Sequence, residues 1–364
     1  MDLQLPRAGD RVVVAMSGGV DSSVAAALLH ERGCEVIGIT LSLWEDVDPE
    51  GPDGGCCTPA DILDARRVCR DLGVPHYLLN YREQFQTEVI DPFVSAYERG
   101  ETPNPCVRCN NHLKFDRLLH RARELGAAWL ATGHYARIVV GEAGPRLLGG
   151  VDPRKDQSYF LYGIRRDALP RLCFPLGHLA KDVVRAEAER LSVRVSRKPD
   201  SQDVCFIPDG DTAAFVARAG GAGAPGQIVD ERGEVLGMHG GVHAFTIGQR
   251  KGIGVAAPEP LYVQRIDAGR GRLVVARADR LEVTRFLAKE WNWLRRPGSD
   301  EQVGVRVRYR GGPSVLKEWS ECDGQIDIEL ADPVRAVAPG QAVVLYGADA
   351  EVLGGGTIAS VPRP

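Results

Sequence analysis

Residues 11–23 read RVVVAMSGGVDSS, an apolar run followed by a glycine turn and a polar start to the next segment. The run at 11–16 predicts a buried strand, and residues 21–32 predict a helix. Between them, Gly18 and Gly19 let the backbone turn sharply and approach a ligand closely. The helix that follows offers free N–H groups and the positive end of its dipole. The turn therefore predicts an anion site, and a tight turn with capping serines fits the same residues.

The alternation of short apolar runs with helical patterns continues through the first half of the chain. Strands are predicted at 35–43, 75–79 and 129–132, and helices at 61–72, 113–125 and 181–191. Strands separated by helices favour a doubly wound parallel sheet in an α/β domain. Ligands of such sheets bind at the carboxyl ends of the strands, which is where the glycine turn lies.

The second half of the chain has a different pattern, which begins after a glycine-rich stretch at 220–226. Valine-rich runs separated by Gly and Asp predict strands at 272–276, 303–309, 325–330 and 342–346. Short strands at such spacing are typical of all-β domains. We therefore predict an α/β domain with helical extensions at 1–210, a small central β-rich domain at 211–284 and a C-terminal β-barrel at 285–364.

The composition is that of a globular enzyme. The 364 residues are 44% hydrophobic and 26% charged, with a net charge of −4. No apolar run approaches the ~18 residues of a membrane span, and residues 1–10 lack the apolar core of a signal peptide. We expect a cytoplasmic protein with no membrane contact. Nine cysteines, an odd number, indicate buried thiols, metal ligands or reactive groups more than a disulfide scaffold.

Two cysteine-containing strings suggest chemistry. Residues 102–110 read TPNPCVRCN, with Cys106 and Cys109 in a C-x-x-C spacing that fits half a zinc site or a redox pair. The prolines on both sides of Asn104 predict an extended loop that displays a reactive group. Residues 198–207 read KPDSQDVCFI, in which Cys205 lies in an apolar run that also fits a buried strand.

A third pattern, at 303–310, alternates valine and tyrosine with arginine. In a strand, this period of two puts Arg306, Arg308 and Arg310 on one face. Residues 285–318 contain eight Lys or Arg and four Asp or Glu, although the whole chain is acidic. Because arginine suits phosphate oxygens, the pattern predicts an RNA-binding face, and a solvated barrel face fits it as well.

Seven strings that occur in one order carry a family resemblance over nearly the whole chain. They are SGGVDSS (17–23), TPNPCVRCN (102–110), ATGHYAR (131–137), KDQSYFLY (155–162), DSQDVCFI (200–207), FTIGQRKGIG (245–254) and PGQAVVLY (339–346). With them the sequence resembles the tRNA-specific 2-thiouridylases, the MnmA family, within the N-type ATP pyrophosphatases. The resemblance implies an ATP-dependent tRNA-uridine 2-sulfurtransferase. Such enzymes adenylate the C2 oxygen of the wobble uridine in the tRNAs for Lys, Glu and Gln, and then replace that oxygen with persulfide sulfur.

The resemblance also implies roles for single residues. Cys205 resembles the cysteine that carries the persulfide, and Cys109 resembles the second catalytic cysteine, which would leave a transient Cys109–Cys205 disulfide. The residues that resemble the ATP site are Ala15, Met16, Ser17, Gly18, Gly19, Val20, Asp21, Ser22, Leu41 and Gly133. Those that resemble contacts to the target base and the tRNA are Asn104, Pro105, Cys106, His134, Lys155, Asp156, Gln157, Arg308, Tyr309 and Gln341. Mg²⁺ and a persulfide sulfur-donor protein are implied as well, and Asp21 would support Mg²⁺ or the loop.

Cys106 departs from the family pattern, because many relatives carry Asp at this position. A second mechanism therefore stays open, in which Cys106, Cys109 and Cys205 bind an iron–sulfur cluster. Two other functions also stay open: a synthetase with the same loop that adenylates a small molecule, and a tRNA-binding protein that only senses nucleotide. The remaining cysteines are interpreted as structural or packing residues: Cys34, Cys56, Cys57, Cys69, Cys173 and Cys322.

Overall fold

The computed structural model describes residues 2–43, 58–199, 204–207, 209–221 and 223–362. Cys56, Cys57 and the first four residues of the DSQDVCFI string lie outside the described residues. The chain forms two compact units. The first unit comprises Met1–Val89, Cys106–Gly210 and Asp349–Val352, and the second comprises Ile90–Pro105, Asp211–Ala348 and Leu353–Pro364.

A five-stranded parallel sheet lies at the centre of the first unit. The strands of this unit are β1 (Asp2–Leu3), β2 (Arg11–Ala15), β3 (Glu35–Ser42), β4 (His76–Asn80), β5 (Trp129–Ala131), β6 (Ala136–Gly141), β7 (Gly144–Gly149) and β8 (Leu172–Cys173). The central sheet has the order β4-β3-β2-β5-β8, and all its pairs are parallel. The order turns in opposite directions on the two sides of β2, so the predicted doubly wound sheet is confirmed. The loop after β2 lies at the switch point, where such sheets bind ligands.

Helices of the first unit pack on this sheet, and other helices belong to the second unit. The α-helices of the chain are α1 (Val20–Glu31), α2 (Pro59–Asp71), α3 (Arg82–Phe85), α4 (Asp91–Glu98), α5 (Pro105–Arg108), α6 (Leu119–Glu124), α7 (Lys181–Arg190) and α8 (Thr212–Val216). Wider π-helical turns lie at Gln86–Ile90, Cys109–Leu118 and Ala217–Gly221. Short 3₁₀ turns lie at Ser158–Phe160, Leu169–Arg171, Val242–Ala244, Ala268–Arg270, Ala278–Leu281 and Ala348–Ala350. Among the described residues, none of these helices combines the length and apolar character needed to cross a membrane.

The helix α1 is buried on nearly every side because it packs against both the sheet and α7. Its Val24 and Leu29 share one core with Val184 and Ala188 of α7. The strand β2 beneath it is equally apolar, since both faces of a parallel sheet are covered. This packing fixes the end of β2 and the start of α1, and therefore the turn between them.

The second unit contains most of the β structure in the rest of the chain. The strands are β9 (Gly226–Val229), β10 (Val235–His239), β11 (Tyr262–Asp267), β12 (Arg272–Ala276), β13 (Glu282–Trp293), β14 (Gly304–Arg306), β15 (Ser314–Cys322), β16 (Gln325–Arg335), β17 (Ala342–Tyr346) and β18 (Val352–Ser360). Four of them form a sheet in the order β10-β9-β12-β11, and the last six close a barrel in the order β13-β16-β15-β14-β17-β18. The predicted central β-rich domain and C-terminal barrel are confirmed as folds. The exact boundaries at 210 and 284 stay predictions.

The predicted strand at 303–309 is shorter than expected. The strand β14 ends at Arg306, and the chain bends from there to the two glycines and the proline at 311–313. The glycines favour bending and the proline cannot donate to a strand ladder, so pairing does not continue. Arg308 and Arg310 are exposed on this bend. The prediction that they share one strand face with Arg306 is therefore wrong, although the basic character of the surface remains.

Candidate active site

The predicted ATP-binding residues come together at one edge of the parallel sheet. Ala15 ends β2, Leu41 lies near the end of β3, and Gly133 follows β5. These three strands are neighbours in the sheet, with β2 in the middle. The carboxyl ends of adjacent parallel strands therefore surround the glycine loop, defined as residues 15–22.

Serine hydroxyls hold the glycine loop in shape. The Ser22 hydroxyl accepts a hydrogen bond from the Ser17 N–H at 3.1 Å and donates to the Gly19 carbonyl at 3.2 Å. The Ser23 hydroxyl donates to the same carbonyl at 2.8 Å. The loop is thus fixed by its own side chains at the N-terminus of α1, where backbone N–H groups and the helix dipole favour an anion.

Two glycines permit close approach of the backbone around this loop. Gly18 has a φ of +74°, and a Cβ there would lie 2.2 Å from the carbonyl oxygen of Asp61 in α2. A Cβ on Gly133 would lie 2.8 Å from the backbone nitrogen of Ser22. Both distances are far below van der Waals contact, so only glycine fits. These contacts bring α2 and the loop after β5 directly against the glycine loop.

The carboxylate of Asp21, in the first turn of α1, is neutralised inside this anion site. Its Oδ1 accepts hydrogen bonds from Lys181 Nζ at 2.7 Å and from the Tyr135 hydroxyl at 2.8 Å. The Lys181 side chain is only 9% exposed. Sequence reasoning assigned no role to Lys181 or Tyr135. The pairing lessens the repulsion between Asp21 and a bound phosphate, and it is compatible with both predicted roles of Asp21, support of Mg²⁺ and support of the loop.

The C-x-x-C pair lies in a helix and not in an extended loop. The helix α5 begins at Pro105, and helical backbone continues through the π-helical turn to Leu118. Proline is readily accommodated at the first position of a helix, where the N–H has no helical partner. For this reason the prolines that predicted an extended loop mark a helix start instead. Cys109 is 8% exposed, whereas Cys106 is more accessible.

Polar contacts fix the helical turn that carries Cys109. The side-chain amide of buried Asn110 donates to the Phe160 carbonyl at 3.1 Å and accepts from Lys114 Nζ at 2.9 Å. Arg108 Nε donates to the Glu88 carbonyl at 2.7 Å. The residues on both sides of Cys109 therefore tie it to neighbouring segments.

Cys205 lies in a tight turn and not in a strand, so the buried-strand interpretation is wrong. The Ile207 N–H donates to the Val204 carbonyl at 2.9 Å, which closes the turn. Phe206 is buried, and its ring packs edge-on against Phe85 with 5.6 Å between centroids. The apolar residues after Cys205 serve as anchors, while Cys205 itself is only partly buried. This arrangement places a partly buried Cys205 in a turn that its buried neighbours anchor.

The three candidate thiols do not form a metal site in this arrangement. In the parts of the chain that the structure describes, no three His, Cys, Asp or Glu side chains lie close enough together to hold a metal ion. Cys106, Cys109 and Cys205 are all among those described residues. The described residues therefore do not fit a single zinc ion here, and the cluster mechanism stays an alternative.

His134, a predicted tRNA contact, is held in an aromatic setting. Its Nδ1 lies 2.7 Å from the Thr132 hydroxyl, and its ring packs against Phe115 and Phe174. Burial, and then the nearby charge of Lys114, lower the pKa of His134 well below its ordinary value. The ring is therefore neutral at pH 7, so it can stack or hydrogen-bond but gives a phosphate no positive charge.

The lowered pKa of His134 predicts a loss of stability in acid. An unfolded histidine binds its proton near pH 6.5, and the folded one resists protonation, so acid favours the unfolded state. We expect urea unfolding at pH 7.5 and pH 5.5 to show a smaller stability difference in His134→Gln than in the original protein. An unchanged pH dependence in that variant would contradict the lowered pKa.

Residues 155–157, which begin the KDQSYFLY string, lie in a loop that two of their side chains help to hold. The Asp156 carboxylate is buried and accepts from the N–H groups of Gly150 and Ser158, each at 3.0 Å. Gln157 Oε1 accepts from the Tyr135 N–H at 2.9 Å. Lys155 is partly buried. These contacts shape the surface beside His134, and the predicted contact of this string with tRNA stays a prediction.

In the second unit, Gln341 holds the segment that leads to Asn104. Its side-chain amide donates to the Thr102 carbonyl at 2.8 Å, and the Thr102 N–H donates to the Pro339 carbonyl at 2.8 Å. Gly340, with a φ of +90°, lets the two backbones meet, since a Cβ there would lie 2.9 Å from the Thr102 nitrogen. Thus Gln341, predicted only as a tRNA contact, also positions the start of the string that is predicted to contact the target base. Arg308 is exposed and Tyr309 is half-buried on the bend after β14.

A doubly wound sheet with this serine-bound glycine loop at its switch point defines a nucleotide-binding protein of the ATP-pyrophosphatase type. Three family models match the chain in succession: the tRNA methyl transferase HUP domain at 10–209, the tRNA methyl transferase PRC-barrel domain at 213–277 and the aminomethyltransferase beta-barrel domain at 283–358.

Curated relatives identify the family. The tRNA-specific 2-thiouridylase MnmA of Geobacter metallireducens is 47% identical over 359 residues, which cover 97% of each chain. The enzyme of the same name from Heliobacterium modesticaldum is 47% identical over 356 residues, covering 96% of this chain and 92% of the relative. The chain belongs to the tRNA-specific 2-thiouridylase (MnmA) family, as its motifs predicted. Among solved structures, a 4-thiouridine synthetase in complex with RNA and ATP matches 57% of this chain and 50% of that one at 20% identity. Its TM-score of 0.34 is too low to bear on function.

Proposed function

We propose that this protein is an ATP-dependent tRNA-uridine 2-sulfurtransferase that makes 2-thiouridine at the wobble position of the tRNAs for Lys, Glu and Gln. The observation that carries the proposal is that the glycine loop, Cys109 and Cys205 all belong to one compact unit of a chain in this family. Two of the matching domain models are named for methyl transfer. The names of the relatives and the two cysteine segments favour thiolation.

In the first step, the C2 oxygen of the uridine attacks the α-phosphate of ATP, and pyrophosphate leaves. The N–H groups of the glycine loop and the N-terminus of α1 receive the charge of that leaving group. Mg²⁺ supplies charge neutralisation to the triphosphate when bound. Asp21 is the residue that would hold it, because its carboxylate lies in the first turn of α1, at the end of the glycine loop.

In the second step, sulfur replaces the adenylated oxygen. A donor protein loads a sulfur atom onto Cys205 as a persulfide. The Cys109 thiolate attacks the inner sulfur, which releases hydrosulfide and leaves a Cys109–Cys205 disulfide. Hydrosulfide adds to C2 and expels AMP, and an external dithiol then reduces the disulfide. Cys106 and Asn104 would face the target base, which must leave the anticodon stack to be reached. No step uses an iron–sulfur cluster.

The proposal is tested by ATP-dependent thiolation of an unmodified tRNA for Glu. The reaction contains Mg²⁺ and a persulfide donor, and the product is read as a shift on a mercury-containing gel. We expect a shifted band that requires ATP, and no shift for the same tRNA with cytidine at the wobble position. Consumption of ATP without any thiolated tRNA would contradict the proposal and favour an adenylating synthetase.

A further inference from the structure

A second lysine, Lys198, is partly buried and contacts the glycine loop from the segment that leads to Cys205. Its Nζ donates to Asp61 Oδ1 at 2.6 Å, to Asp64 Oδ2 at 2.9 Å and to the Gly18 carbonyl at 3.2 Å. Gly18 is part of the glycine loop, and both aspartates lie on α2. Lys198 therefore joins three separate segments of the first unit at one point.

Lys198 compensates the negative charges of Asp61 and Asp64. Asp61 also caps α2, since its Oδ2 accepts from the backbone N–H and the hydroxyl of Thr58. That cap fixes the Asp61 carboxylate beside the loop that receives the triphosphate. Burial alone would lower the pKa of Lys198, but hydrogen bonds with Asp61 and Asp64 raise it above its ordinary value. The ammonium stays charged and offsets carboxylates that would otherwise repel ATP.

The segment that contains Lys198 also contacts the glycine loop at its N-terminal end. It begins with α7, whose Lys181 pairs with Asp21 of the glycine loop. Within the segment, Arg185 Nη1 donates to the Ser196 carbonyl at 3.2 Å. Lys198 lies near the end of this described stretch, which stops at Pro199, and Cys205 follows a few positions further along the chain. The described stretch that precedes the Cys205 turn is therefore held against the ATP-binding loop at Lys181 and again at Lys198.

We propose that Lys198 is a positioning residue that couples the ATP-binding glycine loop to the sulfur-carrying turn of Cys205. Its positive charge offsets Asp61 and Asp64, so that the triphosphate can bind. Its hydrogen bond to Gly18 holds the start of the Cys205 segment against the loop. This inference rests on the proposed function and adds to it a link between adenylation and sulfur delivery. No motif pointed to Lys198, because its partners lie 134 to 180 positions away in the sequence.

The test separates the two tasks of Lys198 in the full-length protein. Adenylation is measured as the KM for ATP in tRNA-dependent pyrophosphate release. Sulfur delivery is measured as the single-turnover rate from protein preloaded with persulfide, at saturating ATP. For Lys198→Met we expect a rise in KM and a fall in the single-turnover rate, each of about tenfold or more.

Further variants distinguish charge from placement. Lys198→Arg keeps the charge with a different shape, so we expect a KM near the original and a slower single turnover. The double variant Lys198→Met with Asp64→Asn removes a repelling charge, so the KM recovers while the single turnover stays slow. Arg190→Met, which breaks an exposed ion pair between α7 and Glu31 of α1, serves as the matched control and leaves both quantities unchanged.

Several outcomes overturn the inference. The inference is overturned if Lys198→Met has the same KM and the same single-turnover rate as the control Arg190→Met. It is also overturned if Lys198→Arg has the single-turnover rate of the original protein. Because Lys198→Arg keeps the ion pair, it tests the placement even if Lys198→Met fails to fold. Failure of the original protein to thiolate tRNA would instead refute the proposed function, and that result is seen before any variant is compared.

Discussion

Cys109→Ser and Cys205→Ser each lower tRNA thiolation by about a thousandfold or more, because each removes a sulfur that forms or breaks a bond. Cys205→Ser has no site for the persulfide, and Cys109→Ser cannot release sulfur from it. Neither cysteine takes part in the attack on the α-phosphate, so both variants still adenylate the tRNA and release pyrophosphate. The measurement is anaerobic thiolation on a mercury-containing gel beside an assay of pyrophosphate release.

Cys106→Ser distinguishes the two-cysteine route from the cluster mechanism. Cys106 has no bond to form in the two-cysteine route, so this variant keeps most of the activity. Cys322→Ser, which changes an exposed cysteine at the end of β15, is the matched control and behaves like the original protein. If all three variants at 106, 109 and 205 lose thiolation and the activity follows bound iron, the cluster mechanism replaces the one proposed here.

Gly18→Ala is expected to weaken ATP binding by about a hundredfold, which corresponds to roughly 2.7 kcal/mol. A Cβ at this position meets the Asp61 carbonyl at 2.2 Å, and the positive φ of +74° adds strain. The backbone of the glycine loop or the N-terminus of α2 must move to relieve the clash. The measurement is calorimetric titration of the protein with a non-hydrolysable ATP analogue.

The variant Gly73→Ala distinguishes the backbone strain of a positive φ from the steric clash with the Asp61 carbonyl. Gly73 has nearly the same φ, +71°, but its Cβ would have no atom within 4 Å. This variant loses about 1 kcal/mol of unfolding free energy and keeps its affinity for the analogue. Equal affinity in Gly18→Ala and Gly73→Ala would show that the close approach of α2 does not shape the ATP site.

The sheet and its glycine loop could be predicted because their signals are local. The apolar run of β2 needs burial on both faces, and the two glycines after it permit a sharp turn. The Cys205 turn was harder to predict from the sequence. The same apolar run can form a buried strand or can pack its side chains into the core on one side of a turn. The C-x-x-C segment was mistaken for an extended loop since Pro105 has the same sequence signature in a loop and at a helix start.

The pairings that neutralise the site could not be predicted from the sequence. Lys181 and Asp21 are separated by 160 positions, and no spacing rule links them. The helical patterns indicated that α7 is a helix, but not that its first lysine reaches the glycine loop. The proposed arginine face failed for a related reason: alternation continued past Arg306, whereas strand pairing depended on the glycines and proline that follow.

The most direct test of the two-cysteine route is the covalent state of the protein after one turnover. Persulfide-loaded protein is mixed with unmodified tRNA and ATP, quenched in acid with a thiol-blocking reagent, digested without reductant and analysed by mass spectrometry. The account predicts a disulfide-linked peptide pair that contains Cys109 and Cys205, formed in step with 2-thiouridine and not without ATP. Formation of 2-thiouridine with Cys109 still alkylated as a thiol, or linked to Cys106, would contradict it.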